Sequence, residues 1–326
     1  MSRVRRRFLA IACVLLAVPT AAIAQQQRGA RIGVLSASSA AAYASRVEGL
    51  RVGLRELGYV EGKNISIEYR WADGNYDRLP QLAAELVQLK VDVLVTQATP
   101  ATRAAKQVTT TIPIVMVAVG DAVASGLVAS FARPGANITG MTILSPELYG
   151  KRLALLKEAI PRIRKVAVLM NPDNSAYGPI FEAMGPTAKS LGIVLQRFDT
   201  RSPNEFEAVF AAMVKAKVDA VEIAEDPLFF VHETAIASHA TRHRLPSVSG
   251  AEFVPAGSLI GYGVNRTEQF RRAAYFADRI LKGTKPRDLP VEQPAKFDLF
   301  INLKTAKALS IKIPQSLLQS ADKVIE

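Results

Sequence analysis

Outside the first 24 residues, few side chains could carry catalysis. The one cysteine is Cys13, and the histidines are His232, His239 and His243. His239 and His243 stand four residues apart, so on a helix they would share a face and could hold a metal. The stretch between them, Ala-Thr-Arg, lacks the glutamate of a zincin, and no third ligand is evident. There is no G-x-S-x-G, no G-x-G-x-x-G and no G-x-x-x-x-G-K-[ST]. Nucleophile-elbow, dinucleotide and P-loop chemistry therefore lose their main support. Glu222 and Glu225 form a carboxylate pair without a partner acid, base or metal. No enzyme, cofactor or metal site is expected.

The chemistry that remains is that of short polar groups placed where apolar runs stop. Ser36, Ser38 and Ser39 follow the run ending at Leu35. Ala98-Thr99 follows Val91–Thr96, and Gly120-Asp121 follows Ile114–Val119. Later in the chain, Asn171, Asn174 and Ser175 follow Lys165–Met170, and Asp226 follows Val218–Ala224. Hydroxyls and the free N–H groups of helix starts can take a carboxylate, and an aspartate can take an ammonium. Each also has a plain reading. Thr99 before Pro100, and Asp226 before Pro227, suit helix caps, and an Asn-Pro-Asp turn needs no ligand.

These positions must be set by strands and helices. Ile114–Val119 is an unbroken β-branched run that suits a strand buried on both faces, and a short helix is expected over 122–131. Before it, strands at 31–35, 64–70 and 91–96 alternate with helical spacing at Val47, Leu50, Leu54 and Leu57, at Leu79, Leu82, Leu86 and Leu89, and after Thr99. The alternation restarts at a helix over 146–160 and runs through strands at 165–170, 193–198, 218–224, 246–249 and 259–262. The reading is α/β with two lobes, each a doubly wound parallel sheet, and an interlobe cleft. A helix over 267–281, a Pro-containing connector and a strand at 297–302 would let the chain cross between lobes more than once. The expected division is 30–142 with about 266–290 as lobe 1, and 143–265 with about 291–326 as lobe 2.

Charge and processing narrow the setting. Of the formal +12, Arg3, Arg5, Arg6 and Arg7 lie in a leader; without them the balance is about +8, spread over surface helices without interleaved aromatics, unlike a nucleic-acid surface. Residues 1–24 combine an arginine-rich start, an apolar stretch Phe8–Val18 and the small-residue end Ala22-Ile23-Ala24, the layout of a secretory signal peptide. Arg5-Arg6-Arg7-Phe8-Leu9 also resembles a twin-arginine signal. Cys13 falls too early to follow a full signal core, so lipid attachment is not expected. The mature chain would be an exported, periplasmic monomer without disulfides.

Three stretches together resemble one family. They are Gly53–Gly62 (GLRELGYVEG) with Asn64–Ala72 (NISIEYRWA), Pro113–Val128, and Phe297–Leu309 with Ile313-Pro314. Nearly end to end, the mature chain is similar to ABC-transporter substrate-binding proteins related to the tryptophan/tyrosine importers. The resemblance implies a type I periplasmic binding fold with three crossovers, a small polar ligand such as an amino acid or related compound held by hinge closure, and partnership with an ABC permease and its ATPase. By matching position it implies a cleft lined by Ser36, Ser38, Ser39, Ala98, Thr99, Gly120 and Asp121 on one side, and by Asn171, Asn174, Ser175, Asp226 and the Gly250–Phe253 loop on the other. Asp121 or Asp226 would take an ammonium. Tyr43, Tyr177, Phe253 and Tyr262 are candidates to cover an apolar side chain. Where the family often has proline after Gly-Asp, this chain has Ala122. Presentation of the ligand to a membrane receptor, or an exported enzyme on the same scaffold, are the competing expectations.

Overall fold

The computed structural model describes residues 29–143 and 145–326; the expected signal peptide lies outside them. The apolar runs become the inner strands of two sheets. In the first, β1 (Ala30–Ser36), β2 (Ile65–Trp71), β3 (Val93–Gln97), β4 (Ile114–Val119) and β5 (Ile138–Thr142) lie in the order β2-β1-β3-β4-β5. All of its neighbours pair in parallel. Every residue of β3, β4 and β5 is buried, as expected for strands covered by helices on both faces. Helices α1 (Ala44–Glu56), α2 (Leu79–Gln88) and α3 (Ala98–Val108) connect them.

The second sheet joins β6 (Lys165–Met170), β7 (Val194–Asp199), β8 (Ala220–Ile223), β9 (Ser247–Ser249), β10 (Ile260–Gly263), β11 (Asp298–Asn302) and β12 (Lys323–Ile325) in the order β12-β11-β10-β9-β8-β6-β7. Only the β10–β11 pairing is antiparallel. Its helices are α4 (Ser145–Ala159), α5 (Tyr177–Ser190), α6 (Phe206–Lys215), α7 (Pro227–Val231) and α8 (Glu233–Arg242). Tyr149, Leu153 and Leu156 of α4, with Ile160 just past its end, all enter this lobe's core. The fold is that of two α/β lobes, as the alternation predicts.

Helix α9 (Arg266–Leu281) follows the second sheet in sequence but packs on the first. Phe270, Ala273, Ala274 and Ala277 share a core with Leu50 and Leu54 of α1. The two helix backbones meet at Gly49 and Gly53, where an added Cβ would stand 2.5 Å from the Thr267 carbonyl oxygen and 2.4 Å from that of Arg271. Only glycine admits that approach. The chain then touches β5, with the Thr142 N–H donating to Glu292 O and the Glu292 N–H to Gly140 O. It returns as β11 to the second sheet and ends with α10 (Leu303–Ala308), α11 (Gln315–Ser320) and β12. Three segments thus join the lobes.

Two local expectations do not hold. No helix forms over 122–131; the chain makes turns there. The Asp121 carboxylate caps the Val123 and Ala124 N–H groups at 3.0 and 2.9 Å, but Gly126, at φ +66°, closes the chain after a single turn, with the Leu127 N–H donating to Ala122 O. Thr99 is not a helix cap either. Helix α3 starts at Ala98, two residues before Pro100, with Gln97 in the cap position.

Candidate functional site

The carboxyl ends of the parallel strands of both sheets face one another. Each end is a chain break between strand and helix, and so exposes backbone groups that the ladder no longer uses. Between them lies a small cavity of about 20 Å³, lined from the first lobe by Ala98, Thr99, Ala118 and Gly120. Its second-lobe walls are Asn174, Ala176, Tyr177 and Ile180, with Tyr149 and Glu225 at its base. A larger groove, about 340 Å³, lies at the crossovers beside the Arg272–Glu292 ion pair, lined by Met141, Val264, Asn265 and the 292–296 segment.

Of the residues expected from sequence, Ala98, Thr99, Gly120, Asn174 and Tyr177 meet around this cavity. The Thr99 hydroxyl accepts the Gly120 N–H at 3.4 Å, tying two strand ends together, and Thr142 Oγ1 donates to Gly120 O from β5. Ala98 and Ala118 adopt φ of +64° and +53°. Such left-handed backbone costs an alanine roughly 1–2 kcal/mol. The pairing of β4 with β5 shifts register between Met116 and Val119, beside Ala118.

The serines stand one layer behind. Ser36 Oγ donates to Gln97 Oε1 and accepts the Ser38 N–H, Ser39 caps the Ala42 N–H, and the Ser38 hydroxyl is buried without a hydrogen-bond partner among the described residues. Ser175 is exposed. Asp121 is half-buried and occupied by its own turn. Tyr43 packs on Trp71 and Phe270, Phe253 on Phe230, and Tyr262 stacks on Phe297.

Asp226 is fully buried. As the sequence suggests, it caps a helix, taking the Leu228 N–H at 3.1 Å. Its carboxylate also accepts Asn171 Nδ2 at 3.2 Å, Asn174 Nδ2 at 3.0 Å and, from the opposite lobe, the Tyr76 hydroxyl at 2.6 Å. The last contact bridges the cleft. Burial raises the Asp226 pKa, against the pull of these hydrogen bonds.

A buried chain of charges runs alongside. Arg152 lies between Glu222 (3.3 Å) and Glu225 (3.0 Å), and Arg266, at the start of α9, reaches Glu225 at 3.3 Å. Glu252 then links Arg266 (3.8 Å) to Arg46 of the first lobe. Burial pushes the Glu222 carboxyl up to about 8, only partly offset by Arg152. Burial also opposes ionisation of Glu225, but the guanidiniums of Arg152 and Arg266 outweigh it and hold its pKa low. Gly250 belongs to this arrangement: a Cβ there would stand 2.1 Å from Glu225 Oε1. Sequence reasoning missed Tyr76, Arg152 and Arg266, whose partners lie far away in sequence, and set Glu225 aside for want of a partner acid, base or metal.

The chain was compared with known proteins. The family described as "ABC transporter substrate binding protein" matches residues 31–325. A tyrosine-binding protein of Clostridioides difficile (strain R20291) is 27% identical over 267 residues, covering 81% of this chain and 76% of the relative. Among solved structures, a conserved domain protein of Vibrio cholerae superposes with a TM-score of 0.86 at 30% identity, covering 90% of this chain and 99% of the other. The ABC domain of Streptococcus pneumonia in complex with L-Trp gives a TM-score of 0.85 at 26% identity, covering 91% and 100%. With two facing α/β lobes and a match over nearly the whole described region, this chain belongs to the ABC transporter substrate-binding protein family.

Proposed function

We propose that the chain captures an amino acid or a closely related small zwitterion by closure of its two lobes in the periplasm, and delivers it to an ABC permease. The observation that carries this reading is the meeting of strand ends from both lobes around one cavity, with Tyr76 and Asp226 joining the lobes beside it. Relatives that bind tyrosine or carry L-Trp support the ligand class. The hinge is assigned to the three connecting segments near residues 143, 265 and 291. The cavity holds little more than a water in this closed arrangement, so the ligand enters the open form and its walls yield around it. The backbone N–H groups following Ala98 and the Thr99 hydroxyl would take the carboxylate, and Tyr149 and Tyr177 would flank the side chain. Of the carboxylates considered, Glu225 lines the cavity whereas Asp121 and Asp226 do not, so it would face the ammonium while it stays paired with Arg152 and Arg266. Among the described residues, no helix is long and apolar enough to cross a membrane. The test is thermal shift against amino acids, small amides, purines and organic acids, followed by calorimetry with tyrosine and tryptophan. The expected outcome is saturable stabilisation by one or more amino acids. Stabilisation by another class alone would overturn the zwitterion reading.

A further inference from the structure

On the outer side of the second lobe, two of the three histidines meet a carboxylate. His239 lies on α8 and His243 at its C-terminal cap, one turn on, so both rings project from one face. Glu207, in the first turn of α6, reaches them: its oxygens stand 3.2 Å from His239 Nδ1 and 3.3 Å from His243 Nε2. Phe210, one turn further along α6, stacks on both imidazoles at interplanar angles of 15° and 9°, which holds the ring planes. Both nitrogens are enclosed by protein, and neither makes a well-aligned hydrogen bond.

A tetrahedral ion with nitrogen and oxygen donors at about 2.0–2.1 Å holds those donors roughly 3.3 Å apart. Each ring nitrogen stands at about that distance from one oxygen of the Glu207 carboxylate, His239 from Oε2 and His243 from Oε1, and one donor atom from each of the three residues falls within 4.8 Å of the others. We propose that Glu207, His239 and His243 form a site for a zinc-class divalent ion, tying α6 to α8 and leaving a fourth position open to solvent. Two imidazoles and one carboxylate favour zinc and its transition-metal neighbours over magnesium or calcium, which prefer all-oxygen sets. The competitor is Arg242, whose exposed guanidinium lies 3.0 Å from Glu207 Oε2; it must swing into solvent when the ion binds. The site is remote from the cleft and does not rest on the ligand reading.

The experiment is calorimetric titration of the tag-free protein with zinc chloride in chelator-free buffer, with magnesium chloride as control and the melting temperature followed in parallel. One zinc per chain, a higher melting temperature and no response to magnesium are expected. Loss of an outer-shell partner already weakens metal binding about 10–100-fold, so His243→Ala and Glu207→Gln, each removing a ligand, should weaken it by about 100-fold or more. Arg242→Gln, which removes the competitor, should bind zinc at least as tightly as the parent. Absence of saturable zinc binding, or one-to-one binding that survives both ligand substitutions, overturns the proposal.

Discussion

Replacing Tyr76 with phenylalanine removes one hydroxyl, and that hydroxyl is the only atom by which this ring reaches the opposite lobe's Asp226. The bond is 2.6 Å long, a length typical of a hydroxyl donating to an ionised carboxylate. Hydrogen bonds to charged groups contribute about 1.5–3 kcal/mol. Asp226 keeps the Leu228 N–H and the two asparagine amides after the change, so the lower figure applies. A loss of about 1.5 kcal/mol shifts the closed–open balance roughly tenfold. If ligand is held by the closed form, its affinity should fall by about the same factor, mainly through faster release. Neither Tyr76 nor Asp226 lines the cavity, so the bridge can persist while the walls adjust around a ligand. Calorimetry and stopped-flow fluorescence on parent, Tyr76→Phe, Asp226→Asn and the double variant would measure the coupling. Additive effects in that cycle would refute an interlobe bridge. Tighter binding by Tyr76→Phe would refute its assigned direction, since the bridge would then hold a form that excludes ligand.

The remaining expectations concern single carboxylates. Glu222 has a folded-state pKa raised from 4.5 to about 8, so between those values the folded protein holds a proton that the unfolded chain releases. Stability must then decline as pH rises through that window, by at most about 1.4 kcal/mol per pH unit from this group. Glu222→Gln should flatten the decline in denaturant titrations at pH 5, 6.5 and 8; parallel slopes for parent and variant would contradict it. At Asp121, alanine should destabilise the turn by about 0.5–2 kcal/mol, while asparagine, which accepts the same N–H groups, should preserve both stability and binding. If asparagine weakens binding as much as alanine does, the charge at 121 reaches the ligand after all.

The strands and most helices were legible because their apolar runs and spacings are local properties. Asp226-Pro227 announced its helix for the same reason. The turns after Asp121 were not, since a strand end followed by small residues reads equally as a helix start or as a capped turn. Thr99-Pro100 misled by two residues: α3 begins at Ala98, whose left-handed backbone nothing in the sequence marks. The missed site residues share one cause. Tyr76 finds its partner 150 positions away, Arg152 finds Tyr262 and Glu222 at separations of 110 and 70, and no spacing rule reaches so far. Short terminal elements, α11 and β12, carried too little periodicity to be read.

Ala98 and Ala118 join two properties that usually vary independently. Each holds strained backbone, and each lends its methyl group to the wall of the cavity. Glycine at either position would relieve the strain and at the same time widen the space by one methyl group. Selection for heat resistance and selection for a larger ligand would therefore favour the same substitution, whereas fidelity to a small ligand favours the less stable alanine. In this fold, the breadth of what is carried and the temperature at which it is carried are set at the same two carbon atoms.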